Sequence, residues 1–318
     1  MTRAIVVGFR PTNSGSDALA LGVRLARSAG AHLHVVTVLP REGALSAAVP
    51  PERSYETHIQ KQARAWLREA AGRIPAGLSH SGHVRPGESF AEGLIEAAEE
   101  FGAGLIVVGA ANGGLFGYHR IGSVASELLH SSPVPVALAP AGLARGIDAD
   151  TDVSRVTAAI GTRPGADVLL DAAVRLAAMT DSGLRLISLV PFDVPAGLGT
   201  GAMRLVDDAL GEDVLARASD ALPEGVDAEL EHARGETVEE AVARLAWKPG
   251  EMLIVGSSRL AQPRRLFLGS TAAKMLHVLP VPMIVVPRTS HDPLADTPEK
   301  PAPDTTTTDT ESPKGADA

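Results

Sequence analysis

Two stretches of the chain carry the residue types that grip an anion. The first, VVGAANGGLFGYHRIGSVASELLH, runs from Val107 to His130; the second, IVGSSRLAQPRRLFLGSTAAKMLH, from Ile254 to His277. Each reads as a strand that ends, a loop, and a helix that restarts at a Gly-Ser pair, Gly122-Ser123 or Gly269-Ser270. Successive backbone N–H groups in a glycine-rich turn form a concavity that binds anions. The helix start adds unpaired N–H groups and the positive end of its dipole. The serine hydroxyl is free either to cap the helix or to reach a phosphate.

Other reactive residue types form no constellation. There is no cysteine, which excludes disulfides, thiolate metal sites and a cysteine nucleophile and fits a reducing cytosol. No Gly-x-Ser-x-Gly elbow, HExxH or Walker-type GK[ST] occurs, so no enzyme activity is expected. His32 and His34 alternate on a strand and His80 lies near His83, but neither pair has a third ligand at suitable spacing. They read as structural histidines, and no metal is expected. His130 and His277 stand at matching places before the last strand of each half and read as caps of helix C-terminal carbonyls. Glu88 and Glu236, followed by Ser89 and Thr237, read as helix N-terminal residues that favour the dipole. Trp66 and Trp247 read as helix-face packing.

The elements that must position the two loops are duplicated. AIVVGFRPTNSGSDALALGVRLARSAGAHLHVVTVLP from Ala4 resembles RVTAAIGTRPGADVLLDAAVRLAAMTDSGLRLISLVP from Arg155. Gly8 aligns with Gly161, Leu25 with Leu176, Gly87 with Gly235, Gly109 with Gly256, Ser123 with Ser270 and Pro135 with Pro282, always in order. The alignment at Gly8 requires two residues to be lost from the first loop of the second copy. Within each copy, continuous apolar runs such as GLIVVGA and MLIVGS alternate with helical patterns such as LLDAAVRLAAMT, as expected for strands covered on both faces. Gly30 and Gly183 read as left-handed C-caps of the first helix of each copy. The fold expected is α/β: two tandem copies of a doubly wound, mainly parallel five-stranded sheet with helices on both faces.

Residues 1–143 form the first domain, 144–152 a polar linker, 153–289 the second domain and 290–318 an acidic tail rich in Pro and Thr. The tail has too few apolar side chains to offset its ordering entropy and is expected to be disordered. It holds much of the formal net charge of −9, with seven acidic residues against two lysines from His291 onward. The remaining body is only mildly acidic and aromatics are 3% of the chain, which argues against nucleic-acid partners. No apolar run approaches a membrane span, and the start MTRAIVVGFR shows no signal-peptide core, so a cytoplasmic protein is expected.

The order of elements, the two loops and the PVPV ending resemble the universal stress protein family in a tandem form. That family's signature is Gly, two residues, Gly, nine residues, then Gly and Ser or Thr, and members that carry it bind ATP. The resemblance implies a non-catalytic, ATP-binding stress-response regulator whose two halves pair as an internal pseudo-dimer, with homodimerisation open. The implied adenine-nucleotide site comprises Gly8, Arg10, Val108, Gly109, Asn112, Gly122, Ser123 and Val124 in the first copy. In the second copy it comprises Gly256, Arg259, Gly269, Ser270 and Thr271. Asn112 and Arg259 stand where the signature has its second glycine. Asn tolerates a left-handed backbone better than Arg, so the first copy is the better site and the second is degenerate. Where the family usually carries an Asp after the first strand, this chain has Arg10 and Arg163. Arg has only donors, so it either forks onto an anionic group or bridges to a neighbouring acid. The alternative function is a nucleotide-free interaction scaffold of the same fold with closed sites.

Overall fold

A computed structural model describes residues 4–41, 53–110, 121–146, 151–161, 165–189, 201–257 and 266–287. The first copy runs β1 (Ala4–Gly8), α1 (Asn13–Ala29), β2 (His32–Pro40), α2 (Arg53–Ala71), β3 (His80–Gly87), α3 (Phe90–Glu100), β4 (Ile106–Gly109), α4 (Ser123–Ser131) and β5 (Val136–Ala139). A 3₁₀ turn, Leu143–Arg145, leads out of it. The second copy runs β6 (Arg155–Ile160), α5 (Ala166–Thr180), β7 (Gly183–Leu189), α6 (Gly201–Asp220), β8 (Glu229–Ala233), α7 (Val238–Arg244), β9 (Glu251–Gly256), α8 (Ser270–Val278) and β10 (Met283–Val286).

The strands join into a ten-stranded sheet ordered β3-β2-β1-β4-β5-β10-β9-β6-β7-β8. Each half is parallel, as strands joined by helical crossovers must be. The seam between halves is antiparallel: β5 pairs with β10, with Ala137 opposite Ile284. The register makes these two residues counterparts, so a pseudo-twofold axis passes between them. Prolines 135 and 140, and 282 and 287, bracket these short strands rather than interrupt their ladders. The internal pairing of the halves expected from the sequence is therefore present.

Two apolar layers cover the sheet. Ile5, Val7, Leu33 and Val35 pack with α1 and α2, and Val156, Leu184 and Leu186 with α5 and α6, in one continuous cluster. Val6, Val36, Val38 and Val108 point to the other face, where α3, α4, α7 and α8 lie. Strands buried on both sides explain the unbroken apolar runs.

The register corrects the alignment of the first strands. Val6 lies beside His34 and Ile106, whereas Thr157 lies beside Arg185 and Leu253. Thr157 is thus the counterpart of Val6, Ala159 of Gly8, and Gly161 of Arg10. No residues are lost after the first strand, and Arg10 and Arg163 are not equivalent positions; Arg163 lies outside the described residues. The same shift displaces the predicted C-cap. Gly30 caps α1 at φ 60° as expected, but the left-handed residue after α5 is Asp181, at φ 49°, and Gly183 begins β7. A glycine two residues further on misled the alignment, because Asp also tolerates this conformation.

One buried carboxylate ties α1 to the exit from the first copy. Asp17, 1% exposed, accepts the backbone N–H groups of Gly142 and Ala144, both at 2.9 Å. Its counterpart in the second copy is Val168. Asp17→Ala leaves two buried donors without their charged acceptor and is expected to destabilise the protein by about 2–4 kcal/mol. Urea unfolding of the full chain measures this. The tail lies outside the described residues.

Candidate functional site

The strand order places a topological switch point at the carboxyl ends of β1 and β4. The chain leaves β1 for α1 on one face and leaves β4 for α4 on the other, which opens a crevice between neighbouring strands. Of the residues expected there, Gly8 ends β1, Val108 and Gly109 end β4, and Gly122, Ser123 and Val124 begin α4. In the second copy Gly256 ends β9 while Gly269, Ser270 and Thr271 begin α8. Asn112 and Arg259 lie outside the described residues.

Tight turns fix the floor of the first crevice. Phe9 donates its N–H to the Val36 carbonyl at 2.8 Å, and its own carbonyl accepts the Thr37 hydroxyl at 2.9 Å. The Thr12 hydroxyl caps α1 by accepting from the Gly15 N–H at 3.1 Å. A Cβ on Gly109 would lie 2.1 Å from the Ser14 carbonyl oxygen, so only glycine lets the first turn of α1 close onto the end of β4. The second copy differs: among the described residues, a Cβ on Gly256 would meet only Leu169, at ordinary contact distance. The sequence signature does not distinguish these two glycines.

Arg10 bridges to no acid among the described residues. Its guanidinium lies over the Phe90 ring, 4.2 Å from the centroid, a cation–π contact with the first residue of α3. Ser89, just before Phe90, caps α3 through the Glu92 N–H and donates its hydroxyl to Glu127 of α4 at 2.5 Å. The start of α3 therefore connects Arg10 to α4. Glu92 and Glu240 accept the backbone N–H groups of Glu88 and Glu236 at 2.8 and 2.7 Å. The carboxylates that serve these helix starts are thus Glu92 and Glu240, not the Glu88 and Glu236 expected, because those two precede the caps.

The helix starts fall into two groups. α1, α3 and α7 are capped by the side chains of Thr12, Ser89 and Thr237. α4, α5 and α8 begin behind glycines with no side-chain cap bond; Gly122 and Gly269 are extended at φ −71° and −69°, whereas Gly165, before α5, is left-handed at φ 94°. The exposed Ser123 and Ser270 are the first helical residues and do not cap them. Those first-turn amides donate to no capping side chain, which is the arrangement an anion exploits.

The other singled-out residues serve packing. His130 donates its Nδ1–H to the Ser126 carbonyl, 2.5 Å away within its own helix, and meets Phe267 of the second copy edge-on at 4.9 Å. Its contact is a bridge between halves rather than the expected cap of terminal carbonyls. The neighbouring Leu266 N–H donates to the Ser132 carbonyl, also across the seam. Trp66 packs against the core, as expected. Trp247 lies beyond the end of α7, not on its face; its Nε1–H donates to the Val242 carbonyl and Arg185 stacks 4.9 Å from its ring centroid.

At the opposite ends of the strands lie two polar clusters, one that sequence reasoning missed and one that it saw only as separate histidine pairs. In the second copy, Arg185 and Glu251, both 0% exposed, pair at 2.6 Å; Arg155 pairs with Glu251 and Glu229 at 2.7 Å, and Arg185 with Glu231 at 2.7 Å. Burial alone would lower the pKa of Arg155, but hydrogen bonds and charges from Glu251 and Glu229 hold it above its ordinary value. In the first copy the same places hold His34 for Arg185, Ser81 for Glu229 and His83 for Glu231. The signal was available: Arg155, Arg185, Glu229, Glu231 and Glu251 are charges inside otherwise apolar strands. Among the described residues, no group of three or more His, Cys, Asp or Glu side chains could hold a metal ion, and no helix is long and apolar enough to cross a membrane.

A duplicated parallel sheet whose switch points lie before uncapped helix starts defines a tandem α/β protein of the doubly wound class. The model of the universal stress protein family matches residues 1–140 and again 153–287. The chain belongs to that family. It is 30% identical over 293 residues to a universal stress protein of Mycobacterium tuberculosis, covering 89% of this chain and 99% of that one. A Mycobacterium bovis relative matches to the same extent. The crystal structure of a universal stress protein from Archaeoglobus fulgidus, 20% identical, superposes with a TM-score of 0.64 over 91% of this chain and 100% of its own, which supports the fold.

Proposed function

We propose that the protein is a cytoplasmic, non-catalytic stress-response regulator that binds ATP or another adenine nucleotide in its first copy. The observation that carries this reading is the glycine start of α4, whose first-turn amides at Ser123 and Val124 lack a capping side chain. A triphosphate would accept from these amides and from the loop that begins at Gly109, with Arg10 offering a guanidinium at the rim. Gly8, Val108 and Asn112 complete the set. The second copy has the same glycine start at Gly269, Ser270 and Thr271, but Arg259 replaces the loop glycine and Gly161 stands in place of Arg10. It is the weaker site.

A second reading, a nucleotide-free scaffold, is favoured by one observation: Arg10 is already engaged by Phe90 and α1 already covers Gly109. Isothermal titration of the purified chain with MgATP separates the two. Saturable heat with one dominant site per chain is expected. No heat at millimolar nucleotide leaves the scaffold standing.

A further inference from the structure

The histidine cluster at the amino ends of β2 and β3 is not used by the nucleotide site, and its geometry is unusual. The Ser81 hydroxyl oxygen lies 2.9 Å from His32 Nε2, 3.1 Å from His34 Nδ1 and 2.9 Å from His83 Nε2. His34 Nδ1 and His83 Nε2 face each other at 3.2 Å. A neutral imidazole presents one N–H and one bare nitrogen, whereas an imidazolium presents two N–H donors. The facing pair is therefore a hydrogen bond while one nitrogen is bare, and a donor–donor clash when both rings are protonated.

The surroundings admit one extra charge more readily than two. His32 on β2 donates or accepts at Ser79 and Ser81, and its ring is 4.5 Å from that of His34. Arg85 on β3 adds a fixed positive charge; Glu100 on α3 is bonded to it. Phe101, which caps the end of α3, stacks on His34 at 4.1 Å with the rings 7° apart, and lies 4.4 Å from His83. The negative end of the α3 dipole favours a single cation here. Burial, then His32 and His83, lower the pKa of His34 to about 4. Burial and Arg85 also lower that of His83, against a smaller opposing pull from Glu100.

We propose that His34 and His83 form an acid-sensitive latch, which holds the end of α3 and the edge strand β3 onto β2 and releases them when both rings take up protons. The latch belongs to the first copy alone. At the corresponding place the second copy has Arg185 and Glu231, an ion pair with no imidazole in it. The proposal stands whether or not a nucleotide binds. Because α3 also carries Phe90 beneath Arg10 at its other end, release would reach the rim of the crevice.

The sign follows from linkage. Above pH 6.5 both folded and unfolded histidines are neutral, and the latch contributes fully. As pH falls from 6.5 towards 4, the unfolded or opened rings bind protons that the closed latch refuses, so stability is lost. Amide hydrogen exchange on the full chain, corrected for intrinsic rates, tests this between those limits. The opening constant of the amides in β3 and the last turn of α3 is expected to rise by up to about tenfold per pH unit for each proton taken up, while β6 and β7, which carry no histidine, stay flat. His83→Gln, whose amide donates and accepts without titrating, is expected to remove one proton from that dependence and so to make it shallower, leaving the proton that His34 takes up. Exchange in wild-type β3 that does not change with pH would overturn the latch, as would an unchanged pH dependence in the variant. Should the variant fail to fold, NMR titration of the wild-type imidazoles decides: His34 and His83 titrating independently near the ordinary histidine value would refute the proposal.

Discussion

Gly122→Asp is expected to abolish nucleotide binding while leaving the protein slightly more stable. Gly122 has an ordinary extended backbone at φ −71°, so a side chain brings no conformational strain. Aspartate at an N-cap accepts from the amides of the first turn, which Gly122 cannot do. It also places a negative charge at the positive end of the helix. Stability should rise by about 0.5 kcal/mol. The same carboxylate occupies the donors a phosphate needs and repels it at contact range. An affinity loss of at least about 100-fold is expected, since two like charges 4 Å apart at a protein surface interact by several kcal/mol. Titration calorimetry and urea unfolding on the same preparation measure the two effects. Ser/Thr-capped helices such as α3 would give no such opposition, because their amides are already used.

Glu251→Ala carries the largest expected effect on stability. Glu251 accepts from Arg155, Arg185, the Thr157 hydroxyl and the Lys248 N–H, all within the buried end of the second copy. Removing it strands two guanidinium groups with only the partly exposed Glu229 and Glu231 as counter-charges. Truncating one partner of a buried ion pair destabilises by about 3–5 kcal/mol. Unfolding monitored by Trp247 fluorescence reports the loss directly, because Arg185 stacks on that ring. An unchanged midpoint would show that the network contributes nothing to folding. Replacing Arg185 and Glu251 together by apolar residues of similar size should cost much less than the single truncation, since no buried charge is then left unpaired.

The duplicated fold was legible because its signal is repeated and local. Continuous apolar runs such as LIVV and MLIV, separated by helical patterns, identify strands buried on both faces, and their doubling sets two five-stranded halves in one chain, which join into a single sheet. The pairing of the two halves through β5 and β10 was what the resemblance to the family implied for a tandem chain. The offset of the first strands was not legible, because glycine marks a turn without specifying which residue of the turn it occupies. Gly8 and Gly161 look alike in sequence, and only hydrogen-bond register shows that Ala159 is the counterpart of Gly8. At the candidate site, the signature glycines revealed where the helices begin. They could not reveal that Ser14 closes over Gly109 while no described residue closes comparably over Gly256, since that depends on where α1 and α5 start. Nor did Arg10 declare its partner: cation–π contact with Phe90 joins residues 80 apart in sequence. The Arg–Glu cluster was missed, and the histidine pairs were not joined to one another, because each cluster is assembled across separate strands and no one segment carries the whole pattern.

The central claim is that main-chain amides at the start of α4 hold the nucleotide's phosphates. Titrating MgATP into isotopically labelled protein and following the amide resonances of Ser123 and Val124 tests it directly. Large, saturable shifts at these two amides and at Gly109, with much smaller ones at Ser270 and Thr271, are the predicted result. Resonances that stay in place at millimolar nucleotide, or shifts confined to the second copy, would contradict it.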